Sequence, residues 1–527
     1  MTKRLFTLPA IFLSLMIGSF ATRSVRAADD PSPEVKAFKE ARNTKDPQKK
    51  IDALEKFLKD FPYSNSASDV QEMILDTLIK NWPDHKDQIS AQAEKVIQAA
   101  PFWDATSVYR DVANKLVDAG IMADKAEDLA LRGLAAESEE TLQNARKSQA
   151  SWLAVLGRAY LHNGKMELAE KTLKQAYELD PTQAAPGHAL AEMAEKRGDF
   201  EKALHFEVGA FLTNISSEDA RPRTKLEEYY RKVHGSLDGL DAMLDAEYEK
   251  ASPAPFAAEP YTPGQGRTDK VVLAELFTGA GCPPCVSADL AFDGLAERYS
   301  HKDLAILIYH LHIPRPDPMT NPSTETRHDY YGGGGTPTFI IDGNRDVGGG
   351  PRQMANSFYR RLASEVDAEL VKPAEASIAL EARLEGGHVI VNAGVDKLKS
   401  DSKDLKLQIA LVEEKLRYSG ENGIRFHNMV VRSLGGEKEA GFALKAGQTA
   451  HLKQDFDLTA LSSELKKSLD DYEAAGHRGE TFKFSEKKYV IDSSDLSVVA
   501  FVQDGANKHV LQAAYVRIRP ANGSEAK

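Results

Sequence analysis

The chain has 527 residues, more than one hydrophobic core usually serves, so several domains are expected. At 42% hydrophobic and 28% charged it has an ordinary globular balance, which excludes a mostly disordered chain. A formal net charge of -12 argues against nucleic acid as a partner, because phosphate binding needs a basic surface.

At the N-terminus, Lys3 and Arg4 precede an apolar run from Leu5 to Ala21, and small residues follow at Ala27 and Ala28. Residues 1–28 read as a secretory signal peptide, with a retained membrane anchor as the alternative. No cysteine follows the apolar run, so a lipoprotein anchor is excluded. No later stretch approaches the ~20 apolar residues of a membrane span. The expectation is a soluble, acidic, exported protein, periplasmic or secreted.

The only cysteines are Cys282 and Cys285. They exclude a disulfide-scaffolded fold and a four-cysteine zinc or iron–sulfur centre. Disulfides persist outside the cytosol, but so short a loop gains little from cross-linking. Chemistry explains such a pair better than stability does.

Residues 29–250 are rich in Ala, Leu, Glu and Lys and read as helices throughout. In 150–183, Leu153, Leu156, Gly157, Tyr160, Gly164, Ala169, Leu173, Ala176 and Pro181 fall at a 34-residue helical-hairpin spacing. Small residues at Gly157 and Ala169 would let the two helices approach, with Tyr160 filling the gap. The next unit, 184–217, keeps Leu190, Ala191, Gly198, Phe200, Ala203 and Ala210. This region resembles tetratricopeptide repeats, well in one unit and loosely before it; a plain helical bundle is the alternative. Either arrangement docks other chains or its own neighbours.

Residues 251–266 hold four prolines and two glycines and read as a linker. From 267 to 370 the order is β-α-β, an insertion, β-β-α, as in a small α/β domain. Residues 371–527 read as short strands interrupted by one helix, Ser462 to about Ala475. That spacing suggests a β-sandwich-like domain, structural or a binding module. The expected fold class is thus multidomain α+β: helical repeats, an α/β domain and a β-sandwich-like domain.

A strand, then Cys282-Pro283-Pro284-Cys285 opening a helix, then Gly335-Thr336-Pro337-Thr338-Phe339 entering a later strand, resembles the thioredoxin-like thiol–disulfide oxidoreductases. The match spans about a fifth of the chain. A thiolate at Cys282 would sit at a helix N-terminus, which favours an anion. Cys285, one turn on, would attack the mixed disulfide and release the partner. Pro283 and Pro284 are tolerated there, where amides lack partners anyway. The resemblance implies that Pro337 is cis, lies against the cysteines, and leaves Thr336 backbone groups to an extended substrate. A static disulfide and a metal site remain as alternatives for the pair.

The chain departs from that family in two places. Gly281 stands where a tryptophan is usual, and Leu276 stands where the family has a buried carboxylate. Glu275, one residue away, is a candidate for tuning the thiols, or else an ion-paired strand carboxylate. His310 and His312, at i and i+2 of one strand, share a face near the sheet edge that carries the cysteines. They are further candidates for tuning a thiol; a zinc site with the cysteines is disfavoured by their spacing, and satisfied histidines are the remaining alternative. Val286 follows Cys285, so a c-type haem attachment is excluded. The insertion Pro314 to Tyr331 either lines a substrate groove or is a surface connector.

The expectation is an exported enzyme that exchanges disulfides with partner proteins, Cys282 attacking and Cys285 resolving, with a lean towards reduction. Thr336 and Pro337 would meet substrate. Partners would be protein thiols and disulfides, a membrane-linked electron donor, and chains docked on the repeats. No cofactor or metal is expected. The alternative is a non-catalytic scaffold, or a redox-sensing binding protein, with a structural thioredoxin-like unit.

Overall fold

The computed structural model describes residues 32–101, 105–137, 146–181, 183–213, 223–477 and 481–518. The expected signal peptide lies outside the described residues. The chain divides into two compact units, Met1–Phe102 and Trp103–Lys527, so the helical segment expected at 29–250 belongs to both.

The first unit contains α1 (Pro33–Asn43), α2 (Pro47–Asp60), α3 (Ala67–Asn81) and α4 (Lys86–Ala99), each packed on the next. Asp46 starts α2: its carboxylate accepts the Lys49 N–H at 2.9 Å, and Pro47 takes a position whose amide has no helical partner. Leu54, Phe57, Ile74, Leu75 and Ile89 supply buried apolar faces.

The second unit opens with α5 (Ala105–Asp118), α6 (Ala123–Ala136), α7 (Arg146–His162), α8 (Met166–Leu179), α9 (Ala184–Lys196), α10 (Phe200–Thr213), α11 (Thr224–His234) and α12 (Leu240–Ala251). The α7–α8 and α9–α10 pairs are hairpins, and their turns use Gly164 (φ +72°) and Gly198 (φ +74°), one 34-residue repeat apart. Gly157 lets α8 approach: a Cβ there would stand 2.7 Å from the Leu173 side chain. Ala169 and Ala203, also one repeat apart, are both fully buried.

The remaining elements are β1 (Val272–Thr278), α13 (Val286–Arg298), β2 (Leu304–His310), α14 (Pro322–Tyr330), β3 (Thr338–Ile341), β4 (Asn344–Val347), α15 (Ala355–Leu370), β5 (Ser377–Glu385), β6 (His388–Asp396), β7 (Leu405–Arg417), β8 (Phe426–Leu434), β9 (Phe442–Ala443), β10 (Ala450–Asp457), α16 (Leu458–Ala475), β11 (Leu496–Asp504) and β12 (Val510–Arg517). One mixed sheet runs β12-β11-β7-β8-β2-β1-β3-β4, with β9 on β7. Strand β1 is parallel to β2 in the register Thr278↔His310 and antiparallel to β3.

The segments expected as separate domains on either side of residue 370 share this sheet, because β2 and β8 pair in parallel at Ile308↔Val430. The physical reason is burial on both faces. Alternate residues of β7 and β11 serve two cores: Ala410, Val412, Val499 and Phe501 join one with α13 and α15, while Leu407, Ile409, Val498 and Ala500 join another. That second core is covered by the three-stranded sheet β10-β6-β5, whose Val389, Val391, Ala393 and Val395 alternate inward.

Two connecting segments differ from expectation. The expected linker is laid down on the fold: the Phe256 ring fills the space left by Gly294, stacks on Tyr359 at 4.8 Å, and Tyr261 N–H donates to Arg298 O at 2.8 Å. The Pro314–Tyr331 insertion is no surface connector. Asp317 through Asn321 are buried, and Asn321 caps α14 with a reciprocal capping box while donating to Val431 O of β8 at 2.9 Å.

Candidate redox site

The site is built at the C-terminal ends of the parallel strands β1 and β2. Strand β1 ends at Thr278, and the chain turns through Gly279-Ala280-Gly281 into Cys282. A short 3-10 turn over Pro283–Cys285 leads directly into α13. Cys282 and Cys285 form a disulfide, with sulfurs 2.08 Å apart and Cα atoms 5.3 Å apart. Both residues are 0% exposed.

The Thr336–Pro337 peptide bond is cis. The Thr336 hydroxyl lies 3.3 Å from Cys282 Sγ and 3.0 Å from Ile313 O, and its single hydrogen serves one of them at a time. Thr336 therefore borders the disulfide, and the glycines after β4 close the other side. A Cβ on Gly349 would meet Pro284 O at 2.2 Å and Pro337 Cγ at 2.5 Å, and Gly350 N–H donates to Pro284 O at 2.7 Å. Only a bare backbone fits between these two prolines.

His310 and His312 converge on Asp317, which is fully buried in the proline-rich insertion. His310 Nδ1 donates to Asp317 Oδ2 at 2.8 Å, and Asp317 N–H donates to His312 Nδ1 at 2.9 Å. Asp317 also accepts the Ala280 amide at 2.6 Å and the Met319 amide at 2.8 Å. Burial alone would raise its carboxyl; His310 and these two amides overcome that and hold it below the usual carboxylate range. His312 stacks on Tyr472 of α16 at 3.6 Å, and burial lowers its imidazole to about 4. His310 instead meets His427 of β8 edge-on at 4.9 Å. Burial, then the nearby His310, lowers His427 to about 3, and its Nε2 donates to Tyr418 O at 3.0 Å. The buried His310 Nε2 meets no hydrogen-bond partner among the described residues.

Glu275, a candidate for tuning the thiols, is committed elsewhere. Arg327 of α14 grips it with two bonds of 2.8 and 2.9 Å, and the Tyr309 and Tyr331 hydroxyls donate at 2.9 and 2.6 Å. Strand alternation turns it to the face that receives α14, where it anchors the insertion.

A different carboxyl stands on the cysteine helix. Asp289 follows Cys285 by one helical turn, and Thr278 Oγ1 donates to it at 3.0 Å. Burial of the carboxyl pushes it up to about 7, with His310 and the Thr278 hydroxyl pulling the other way. A group so poised exchanges a proton near neutral pH. Sequence reading missed both Asp289 and Asp317. For Asp289 a signal was present: the i, i+4 spacing from Cys285 places it on the same face of α13.

Among the described residues no group of three or more His, Cys, Asp and Glu side chains is arranged to hold a metal ion, and no helix is long and apolar enough to cross a membrane.

The molecule thus joins a helical repeat region to a mixed α/β sheet that carries the Cys282–Cys285 disulfide. No protein-family model and no curated protein matches the chain. Among solved structures it is similar to MamA (MSR-1), with 21% identity over 33% of this chain and 91% of that one and a TM-score of 0.23. It is also similar to Pseudomonas aeruginosa pilF, with 14% identity over 40% of this chain and 94% of that one and a TM-score of 0.24. Similarity at this level carries no argument about what the chain does.

Proposed function

We propose that this is an exported protein that docks other chains on its helical repeats and exchanges disulfides with them through Cys282 and Cys285 in a thioredoxin-like unit. The observation that carries the reading is the placement of the pair: a disulfide at the start of α13, bordered by Thr336, with Asp289 one turn beyond Cys285 and its carboxyl near 7.

In the reducing direction the Cys282 thiolate attacks a partner disulfide. One partner sulfur leaves as a thiolate and takes up a proton, and a mixed disulfide forms. Cys285 loses its proton and attacks the Cys282 sulfur, which re-forms the internal disulfide and frees the second partner thiol. Two electrons pass to the partner, and a membrane-linked donor would return them. In this reading Asp289, one turn beyond Cys285, takes the proton that Cys285 loses.

A second reading is a non-catalytic scaffold whose disulfide is structural. Complete burial of both cysteines favours it. A redox titration separates the two. The protein is equilibrated in graded thiol/disulfide buffers, free thiols are trapped by alkylation, and the protein is weighed. A reversible two-thiol transition supports exchange; one well below the glutathione range indicates a reductase, and one well above it an oxidant or isomerase. A pair that stays oxidised at every accessible potential leaves the scaffold reading. Alkylation is the better readout because residues 267–370 contain no tryptophan to report on the cysteines by fluorescence.

A further inference from the structure

Cys282 is buried although it ends a loop at the edge of a sheet, where a side chain would ordinarily meet solvent. Residues 418–425, the turn that joins β7 to β8, lie against the loop that leads into it. The turn is closed on itself: Gly423 N–H donates to Gly420 O at 2.9 Å, Gly420 N–H donates to Ile424 O at 2.8 Å, and Gly423 takes φ +82°. Its tip lies on the cysteine loop. Asn422 N–H donates to Ala280 O at 2.8 Å, and Asn422 Nδ2 donates to Gly279 O at 3.4 Å. Glu421 pairs with Arg315 at 2.8 Å across the loop. Gly281 makes room for this pair: a Cβ there would stand 3.0 Å from both Glu421 Oε2 and Arg315 Cβ.

We propose that this turn is a strap closed over the disulfide, and that its tip must lift before Cys282 can meet a partner. Its purpose rests on the exchange reading above; its geometry does not. Base and tip are held unequally. At the base, Arg417 and Arg425 both bond Asp245 of α12 at 2.8 Å, and Arg425 is 3% exposed. At the tip, the Arg315 and Glu421 side chains are 41% and 17% exposed, so solvent screens their attraction. Lifting the tip breaks this ion pair and the Asn422 bonds. The strap therefore swings about a fixed base, a local opening of low cost.

The test measures access to the disulfide, independent of any partner. The oxidised full-length protein is treated with a water-soluble phosphine. Phosphorus takes oxygen from water, and the disulfide takes two electrons and two protons to become two thiols, counted by alkylation and mass. Glu421→Lys places like charges at the tip and should speed reduction about tenfold. The charge swap Glu421→Lys with Arg315→Glu should return the rate to within about threefold of wild type, which a merely misfolded variant would not do. Wild type should also react faster as salt is raised. Equal rates for wild type and Glu421→Lys would overturn the strap, as would a swapped protein as fast as the single variant, or a wild type already as fast as the chain unfolded in urea. If Glu421→Lys exposes the disulfide to phosphine yet the pair never exchanges with dithiols, the strap stands and the exchange reading fails.

Discussion

One oxygen of Asp317 takes both the Ala280 amide, at 2.6 Å, and His310 Nδ1, at 2.8 Å, so a single buried carboxylate fixes the cysteine loop to the end of β2. Asp317→Ala leaves two amides and a histidine without their acceptor in a closed site. The expected loss is about 2–5 kcal/mol, the usual result of leaving the buried partners of a charged group unpaired. Urea unfolding measures it, and a loss under about 1 kcal/mol would show that the loop does not depend on this anchor.

Asp289 is raised from 3.8 to about 7 in the folded chain. Between those values the folded state holds a proton that the unfolded state has lost, so this group makes stability fall as pH rises from about 4 to about 7. The slope is at most about 1.4 kcal/mol per pH unit. Asp289→Asn should be flatter than wild type across that window, read from unfolding midpoints at several pH values. Parallel profiles would contradict the assignment.

His427 contributes the opposite slope. Its imidazole is lowered to about 3, so below 6.5 the unfolded chain takes up a proton that the folded chain refuses, and stability falls as pH drops from 6.5 towards 3. His427→Gln retains a donor for Tyr418 O and does not titrate. It should lose less stability on acidification than wild type, and an unchanged acid limb would be evidence against a neutral His427.

The Glu275–Arg327 pair is buried at 0% and 3% exposure. Glu275→Gln leaves the guanidinium without its counter-charge and should cost about 3–5 kcal/mol. Glu275→Leu with Arg327→Met removes both charges and should recover part of that loss. Thermal unfolding of the three proteins decides the matter; a double variant no more stable than Glu275→Gln would mean that the unpaired charge is not what costs stability.

Gly349→Ala forces a methyl group against Pro284 O and Pro337, where backbone must move. A cost of about 1–3 kcal/mol is expected, together with a changed rate of disulfide reduction by phosphine. A variant indistinguishable from wild type in both would show that the contact can relax freely.

Much of the architecture was legible in the sequence. Apolar runs marked the strands at Val272 and Leu304, alternation marked those after Ala376, and the glycine and alanine spacing marked the hairpins around Gly157 and Ala169. That Thr336-Pro337 meets the cysteine pair was implied only by the resemblance of the two motifs to thioredoxin-like proteins. What stayed hidden was long-range pairing. β2 and β8 are joined through the single ladder pair Ile308↔Val430, and no local pattern specifies that. The run Leu496-Ser497-Val498-Val499-Ala500-Phe501-Val502 did carry a clue, because a strand apolar on both faces must lie between two cores. Asp317 was illegible for another reason, and Asp289 showed its position on the cysteine helix but not its role. Each is an ordinary acidic residue until tertiary packing excludes water from it, and packing is what turns a carboxylate into an anchor or a proton holder.

Asp245 sets a boundary condition on dissecting the molecule. A cut in the proline-rich segment at 251–266 is the obvious way to prepare the sheet-bearing half alone. That cut would remove the counter-charge of Arg425, a guanidinium with 3% exposure, and would strip Phe256 and Tyr261 from the helices they cover. The isolated half would then carry a loosened hinge beneath its disulfide. Reactivity measured on such a fragment would report the excised piece and not the intact chain.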